Sequence, residues 1–258
     1  DGDGGSEIIT LSLTSAESEA AATLIDYDKE SLYTLSQCSM DPSVTTYENV
    51  VPTKLSDKNT GVIIDGIVDG GYNTQILYYD SSNRSLVNYP RGTSKSSNPT
   101  FRSYSVPSRD FDDDGTVEVP VINSQANIAD TENAAPVISW RSFNKDKNKL
   151  IEDARCMNNF DYGYYFKMPD YFYGAAVATL SEDKKTMEIY SVSGNKKGGL
   201  LLTIKVFDVG SSSDKMKDYS TLESYNQNTF AYKIGDSTVL YIDDNIVKEN
   251  FALNDIGA

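Results

Sequence analysis

Short apolar runs separated by polar turns recur in the same order along the first part of the chain, up to residue 156. Each stretch contains a first strand, a second apolar strand, a polar turn and a third strand that begins at a leucine. The second strands fall at residues 23–27, 74–79 and 136–140, and the third strands begin at Leu32, Leu86 and Leu150. A fourth strand is predicted at residues 48–53 and again at 101–107. Short strands joined by turns predict four-stranded antiparallel sheets.

A short sequence repeat supports this order. Residues 51–54 read Val-Pro-Thr-Lys and residues 106–109 read Val-Pro-Ser-Arg, which sets a repeat of about 55 residues. We therefore predict three repeats, at about residues 1–54, 55–109 and 110–156. A lone sheet cannot bury both faces, so the repeats should stack, and repeats of this length that stack in a ring form a β-propeller. The predicted fold class is mainly β, with the antiparallel four-stranded blades of a partial propeller.

The remaining residues, 157–258, lack the repeat and are predicted to form a C-terminal antiparallel α+β domain. Their most apolar run, residues 200–207, is the predicted central strand. Ser213 is placed to cap a short helix that ends at Tyr219. Helical spacing of apolar residues predicts a terminal helix over residues 242–251.

Aromatic side chains crowd the start of this domain. One interpretation is a stacking platform for a sugar or a peptide. The other, which we favour, is packing in the core, because alternate residues of a strand face inward. The residues are Phe160, Tyr162, Tyr164, Tyr165, Phe166, Tyr171, Phe172 and Tyr173.

The most unusual stretch for its charge is residues 110–118, Asp-Phe-Asp-Asp-Asp-Gly-Thr-Val-Glu, which leads directly into an apolar run. So many carboxylates on one short loop repel each other unless a cation lies among them. Oxygen-only ligands on a flexible loop suit Ca²⁺ better than Mg²⁺ or Zn²⁺. The predicted ligands are Asp110, Asp112, Asp114, the carbonyl oxygen of Thr116, and Glu118, with Gly115 supplying the sharp turn. The competing interpretation is a solvated acidic turn.

The same acidic motif opens the chain, where Asp1, Asp3 and Glu7 are the corresponding predicted ligands. Because the first ligand position would precede residue 1, we expect the chain to be a piece of a longer polypeptide. In the second repeat, Leu55 and Ile63 replace the first and last acids, so we expect no ion there.

Composition narrows the possible functions. The net charge of −15 argues against nucleic acid and anionic membrane surfaces, and it fits a secreted protein that lives with divalent cations. The absence of histidine excludes Ser-His-Asp and Cys-His catalysis and histidine-based metal sites. Cys38 and Cys156 fall at equivalent positions of the first and third repeats. They could form a disulfide, but two separate half-buried thiols are favoured, because equivalent positions two blades apart are distant.

The Asp-x-Asp-x-Asp-Gly-x-x-Glu loop that opens a strand resembles the FG-GAP/VCBS type of repeat, found in integrin-like β-propellers and in secreted bacterial surface proteins. The resemblance covers roughly residues 1–155 and implies calcium ions that serve structure within a blade. Three copies are too few for the usual ring, so an open array is an alternative. Residues 165–169, 201–206 and 229–233 resemble a small α+β domain of lipoproteins from Gram-positive gut bacteria.

These features lead to a prediction of a non-catalytic, calcium-stabilised binding or scaffold protein of the bacterial cell surface. The expected partner is an unknown extracellular glycan or protein, with no nucleic acid. The expected location is extracellular or cell-surface anchored, and an upstream lipid anchor is one way to hold the protein there. The alternative is a glycan-active hydrolase or lyase with paired carboxylates. Its candidate acids are Asp161, Asp170, Glu182 and Glu188.

Overall fold

The computed structural model describes residues 5–28, 31–56, 59–90, 98–123, 125 and 133–254. Within these residues the protein is mainly β, with antiparallel strands in four sheets. The first sheet consists of β1 (Ile8–Ser12), β2 (Ala21–Asp28) and β3 (Ser31–Ser39), and the second of β4 (Thr46–Ser56), β5 (Asn59–Val68), β6 (Gly71–Asp80) and β7 (Ser85–Tyr89). Each is ordered as in the sequence.

The other two sheets contain the later strands. The third consists of β8 (Val119–Asn123), β9 (Val137–Asn144), β10 (Lys149–Asn159), β11 (Tyr164–Lys167) and β17 (Phe251–Leu253), in the order β17-β11-β10-β9-β8. The fourth consists of β12 (Ala176–Leu180), β13 (Thr186–Ser193), β14 (Lys196–Asp208), β15 (Ser220–Tyr225) and β16 (Asn228–Ile234), in the order β12-β13-β14-β16-β15. The helical segments are a 3-10 turn (Asp170–Phe172), α1 (Ser213–Met216) and α2 (Asp244–Asn250).

Three successive meanders follow the predicted order of first, second and third strands: β1-β2-β3, β5-β6-β7 and β8-β9-β10. Corresponding turns share details of geometry. Arg84 lies four residues after the end of β6, and Asn148 lies four residues after the end of β9. Both residues have φ 48°. Asp80 and Asn144, the last residues of those strands, each accept a backbone N–H from their own turn. The predicted first, second and third strands are therefore present in all three stretches.

The predicted fourth strands are placed differently. β4 pairs with β5 and not with the first sheet, because a short hairpin between Ser56 and Asn59 keeps the two strands adjacent. The predicted strand at 101–107 is wrong: this described segment makes a single isolated bridge, from Arg102 to Tyr72. The Arg102 side chain donates to the Val106 carbonyl oxygen within the same segment.

The chain divides into two compact units. The first unit contains Asp1–Ile122 and Trp140–Asp153, and the second contains Asn123–Ser139 and Ala154–Ala258. Residues 123–139, which the sequence analysis placed in the third repeat, thus belong to the second unit.

In the first unit the second sheet is covered on both faces. On one face Ile64, Leu77 and Leu86 pack against Ala22 and Leu24 of the first sheet. On the other face Leu55, Ile63 and Ile76 of the second sheet pack against residues that follow the acidic loop in the chain. These are Val117, Val119, Val121 and Phe143. Alternate residues of each strand supply the two cores, as the period of a β-strand requires.

A buried ion pair fixes the segment that leads to the acidic loop. Arg102 and Asp65 are 0% and 1% exposed, and their charged groups approach to 2.8 Å. The Asp65 carboxylate also accepts hydrogen bonds from Thr74 Oγ1, from Asn49 Nδ2, and from the backbone N–H and Oγ of Ser108. Residues 102–108 are thereby tied to β4, β5 and β6.

The charge of Asp65 is retained in spite of its burial. Burial by itself would raise the pKa of this carboxyl, but the Arg102 guanidinium and the hydrogen bonds from Asn49, Thr74 and Ser108 hold it below its usual value. The ionised form therefore stabilises the folded state above the ordinary Asp pKa of about 4, and that contribution is lost as pH falls through the lower folded pKa.

The second unit is organised around β14, which is the middle strand of the fourth sheet, as predicted. Its core includes Tyr164, Phe166 and Phe172, each 0% exposed, so the core interpretation of the aromatic cluster is confirmed for these three. Tyr171 differs, since it is 47% exposed.

The termini of the helices correct two predictions. Ser212, and not Ser213, precedes α1, and its side chain makes no capping bond; the helix ends at Met216. The terminal helix α2 is shorter than predicted because it begins after Asp243, whose side chain accepts the Ile246 N–H, and gives way to β17 at Phe251.

Both cysteines lie in described segments, Cys38 half-buried and Cys156 buried, and neither forms a disulfide bond. Among the described residues, no helix is long and apolar enough to cross a membrane.

We expect Arg102→Met to destabilise the first unit by about 3–5 kcal/mol, because it leaves the Asp65 carboxylate buried without its cation. Urea unfolding measures this loss. The matched control is Arg141→Met, since Arg141 pairs with Glu152 at 3.5 Å where both side chains are about a quarter exposed. That pair should contribute at most about 1 kcal/mol. Equal losses in the two variants would contradict the role given to the buried pair.

Candidate metal centre

The acidic stretch forms the loop of a β-hairpin. Arg109 and Glu118 face each other across it, each donating its backbone N–H to the other's carbonyl oxygen. The Val117 N–H donates a hydrogen bond to Thr53 Oγ1 at 2.8 Å. This bond anchors the second arm of the hairpin to β4. The hairpin therefore presents residues 110–116 as a closed loop with both ends fixed.

Within the loop, Asp110 organises the turn. Its two carboxylate oxygens accept the backbone N–H groups of Asp114 and Gly115, at 3.1 and 2.8 Å. Asp113 and Gly115 adopt φ values of 62° and 86°. The second is in the region that glycine enters without strain, so Gly115 supplies the sharp turn that the sequence predicted.

Three of the predicted ligands converge. One carboxylate oxygen each from Asp110, Asp112 and Glu118 lies within 4.8 Å of the other two. Oxygens bound to one Ca²⁺ at about 2.4 Å are at most about 4.8 Å apart, so this spacing fits a shared ion. Asp112 is exposed and Asp110 is half-buried, while Glu118 is buried at 2% exposure.

This arrangement disfavours the ionised form of Glu118. Its pKa is raised to about 7, first by burial and then by the negative charges of Asp112, Asp114 and Asp153. The Phe111 N–H, which Glu118 Oε2 accepts at 2.8 Å, acts in the opposite direction. A buried carboxylate among other carboxylates is costly when no cation is bound, and the donor set is the one that Ca²⁺ prefers.

The other predicted ligands are placed as follows. Asp114 is exposed and lies outside the convergent group, with Oδ1 accepting the Thr116 N–H at 2.7 Å. Its role as a ligand, like that of the Thr116 carbonyl oxygen, stays a prediction. In the first repeat, Asp1 and Asp3 lie outside the described residues, and Glu7 is half-buried just before β1.

In the predicted alignment of the repeats, Leu55 and Ile63 take the positions of Asp110 and Glu118. Both are core residues of the first unit. Ile63 is 0% exposed, and Glu118 is almost as well covered. The two hairpins thus bury an apolar side chain and a carboxylate at corresponding positions.

Sequence reasoning missed an aromatic stack beside the loop. The rings of Phe111 and Trp140 lie 4.5 Å apart and nearly parallel, at 15°. The Arg109 guanidinium lies 5.2 Å from the centre of the Trp140 ring and 5.7 Å from that of Phe111. The signal available in the sequence was that Arg109 and Phe111 directly flank the first acid of the loop.

No family model matches this chain, and no curated protein matches it either. The chemical interpretation of the loop therefore depends on its own geometry.

We expect Gly115→Ala to weaken calcium binding, because a Cβ at φ 86° costs about 1–2 kcal/mol and shifts the turn that Asp110 holds. Isothermal titration calorimetry measures the affinity. Gly174→Ala is the control, since Gly174 has φ 72° with no atom within 4 Å of an added Cβ and belongs to the second unit. Both variants should lose a similar amount of stability, but only Gly115→Ala should lose affinity for calcium. Unchanged affinity in Gly115→Ala would count against the loop as the binding site.

Proposed function

We propose that this protein is a non-catalytic, calcium-stabilised binding or scaffold protein of the bacterial cell surface. The observation that carries the proposal is the convergence of Asp110, Asp112 and Glu118 on one hairpin loop. A bound Ca²⁺ would cancel the repulsion among them and brace the hairpin that closes one core of the first unit.

The repeat family belongs to the same proposal. We propose that the three meanders are blades of the FG-GAP/VCBS type in a partial propeller. The support is their common strand order and the face-to-face packing of sheets in the first unit. In this scheme the ion serves structure, and the loops of the blades are free to vary with the ligand.

The charge of the chain supports an extracellular role. A net charge of −15 disfavours contact with nucleic acid and with anionic lipid, and it suits a compartment where divalent cations are plentiful. The proposed partner is an extracellular glycan or protein. Assignment as a glycan-active hydrolase stays the alternative prediction, since it requires a pair of carboxylates that face one substrate.

The sharpest test of the calcium site is Glu118→Gln. The glutamine keeps the shape and can still accept the Phe111 N–H, but it removes the buried charge. Without calcium the variant should melt at a higher temperature than the natural protein, because an uncompensated carboxylate is gone. With saturating calcium the order should reverse, because only the natural protein gains stability from the ion.

Differential scanning calorimetry with and without EDTA measures both effects. The matched control is Asp113→Asn, which removes the same charge from an exposed loop residue that tolerates φ 62° as asparagine. It should keep the calcium response of the natural protein. If the melting temperature of the natural protein is the same with calcium and with EDTA, the calcium site is refuted.

A second variant tests which unit depends on the ion. In saturating calcium, we expect Asp112→Ala combined with Asp114→Ala to lower the stability of the first unit and leave the second unit unchanged. Hydrogen exchange resolved along the chain distinguishes the two, since β5 and β14 report on separate cores. Equal loss of protection in both strands would mean that the units unfold together.

A further inference from the structure

A cavity of about 570 Å³ lies at one end of the fourth sheet, inside the second unit. Its volume is in the range of pockets that take a small ligand or a side chain. The lining comes from three residues near the start of β14 and from residues 233–239, which end β16 and follow it. The cavity is therefore formed where the chain after β16 passes the start of β14.

Two glycines allow these segments to approach each other. A Cβ on Gly235 would lie 2.2 Å from the Leu200 carbonyl oxygen, and one on Gly199 would lie 2.7 Å from Ser237 Cβ. The approach is held by hydrogen bonds, because the backbone N–H groups of Gly235 and Ser237 donate to the carbonyl oxygens of Leu201 and Leu200. The backbone itself thus fixes one wall of the cavity.

The polar side chains of the lining have no partner in the described part of the chain. Lys233 and Asp236 are exposed and form no ion pair there. Thr203 is 7% exposed, and its hydroxyl makes no hydrogen bond to another described residue. A few polar groups that face one cavity without internal partners are the usual means of orienting a ligand. Because the two charges are opposite, the lining does not select a strongly charged ligand.

The backbone beside the cavity also has unused hydrogen-bonding groups. Successive residues of an antiparallel strand direct their N–H and C=O groups to opposite neighbours. Gly235 binds β14, so Ile234 directs its groups to the other side, where β15 lies in the rest of the sheet. The pairing of β15 with β16 stops at Ser220 and Tyr232. Among the described residues, Ile234 therefore has no strand partner on that side.

The chain that enters β15 does not approach along this edge. The Tyr219 ring, just before Ser220, packs on the Phe207 ring of β14 with centroids 5.3 Å apart. Phe207 pairs with Thr229, which lies toward the opposite end of β16 from Ile234. The entering chain thus crosses the sheet from the far end of β16, and the line of β15 beyond Ser220 is left for another strand.

We propose that this edge and the cavity bind an extended peptide segment of a protein partner. The peptide continues the line of β15, pairs its backbone with Ile234 and Asp236, and places one side chain in the cavity. In this mode the main-chain bonds supply affinity and the cavity supplies selectivity. A sugar is disfavoured, because no aromatic ring of the described chain lines the cavity and could stack on it. The proposal rests on the binding function proposed above and narrows its partner to a protein.

A phage library of random short peptides, selected on the immobilised full chain, supplies the probe. The enriched peptide is then synthesised and titrated into ¹⁵N-labelled protein. We expect saturable binding that shifts the amide resonances of Ile234 and Asp236 and slows their hydrogen exchange, because both N–H groups gain a partner. A peptide held by its side chains alone would leave that exchange unchanged.

Two variants at one position separate main-chain from side-chain binding. Asp236→Pro removes an N–H that makes no backbone hydrogen bond in the described chain, so it should abolish peptide binding while the protein stays folded. Asp236→Ala is the matched control, since it removes the same carboxylate but keeps the N–H. Its affinity should stay within about fivefold of the natural protein, the effect of one exposed charge. The exchange measurement needs no variant, so it decides the question if the proline variant does not fold.

The proposal is overturned if no peptide is enriched, if the Ile234 and Asp236 amides do not respond, or if Asp236→Pro binds as well as Asp236→Ala. A glycan array bound by the natural protein and not by Asp236→Pro would also overturn it, because the cavity would then belong to a sugar. Calorimetry with and without EDTA on the same samples separates the two proposals. A calcium response that persists while peptide binding fails would overturn this inference alone, since the cavity lies in the second unit.

Discussion

Mutual repulsion among carboxylates is the constraint that shapes the hairpin at residues 109–118. Asp110, Asp112 and Glu118 come within 4.8 Å of one another, and Glu118 does so while almost fully buried. Burial and neighbouring negative charge both oppose the ionised form of that residue, and a cation among the oxygens would offset both effects. In the second predicted repeat, Leu55 and Ile63 lie in the core where these acids would stand, and the absence of an ion there stays a prediction.

The loop can hold this geometry because the backbone on either side of it is anchored independently. Upstream, the Arg102–Asp65 pair and the bonds from Ser108 to Asp65 tie the preceding segment to the second sheet. Downstream, the Thr53 hydroxyl binds the Val117 N–H. These anchors pre-organise the loop, so an ion bound at the proposed site would require little further ordering of the chain.

Periodic features of the fold were predictable from the sequence, and non-local ones were not. The first three strands of each repeat follow from alternating apolar residues, and the turns at Arg84 and Asn148 follow from polar runs. The placement of β4 was missed because pairing depends on which hairpin closes, a tertiary choice that alternation does not encode. The buried Asp65 was missed because a single acid in an apolar run gives no sign of Arg102, its distant partner. In the site, the spacing of acids identified Asp110, Asp112 and Glu118, while the stack of Phe111 on Trp140 joins residues far apart in the chain.

Terbium luminescence tests the calcium site most directly, because Tb³⁺ takes oxygen ligands as Ca²⁺ does and emits when a nearby aromatic ring transfers energy to it. The chain has one tryptophan, Trp140, and it stacks on Phe111 inside the acidic loop. Selective excitation of Trp140 in the presence of Tb³⁺ should produce emission that Ca²⁺ displaces and that Glu118→Gln strongly reduces. Absence of sensitised emission, or emission that neither Ca²⁺ nor the variant alters, would contradict a metal ion at Asp110, Asp112 and Glu118.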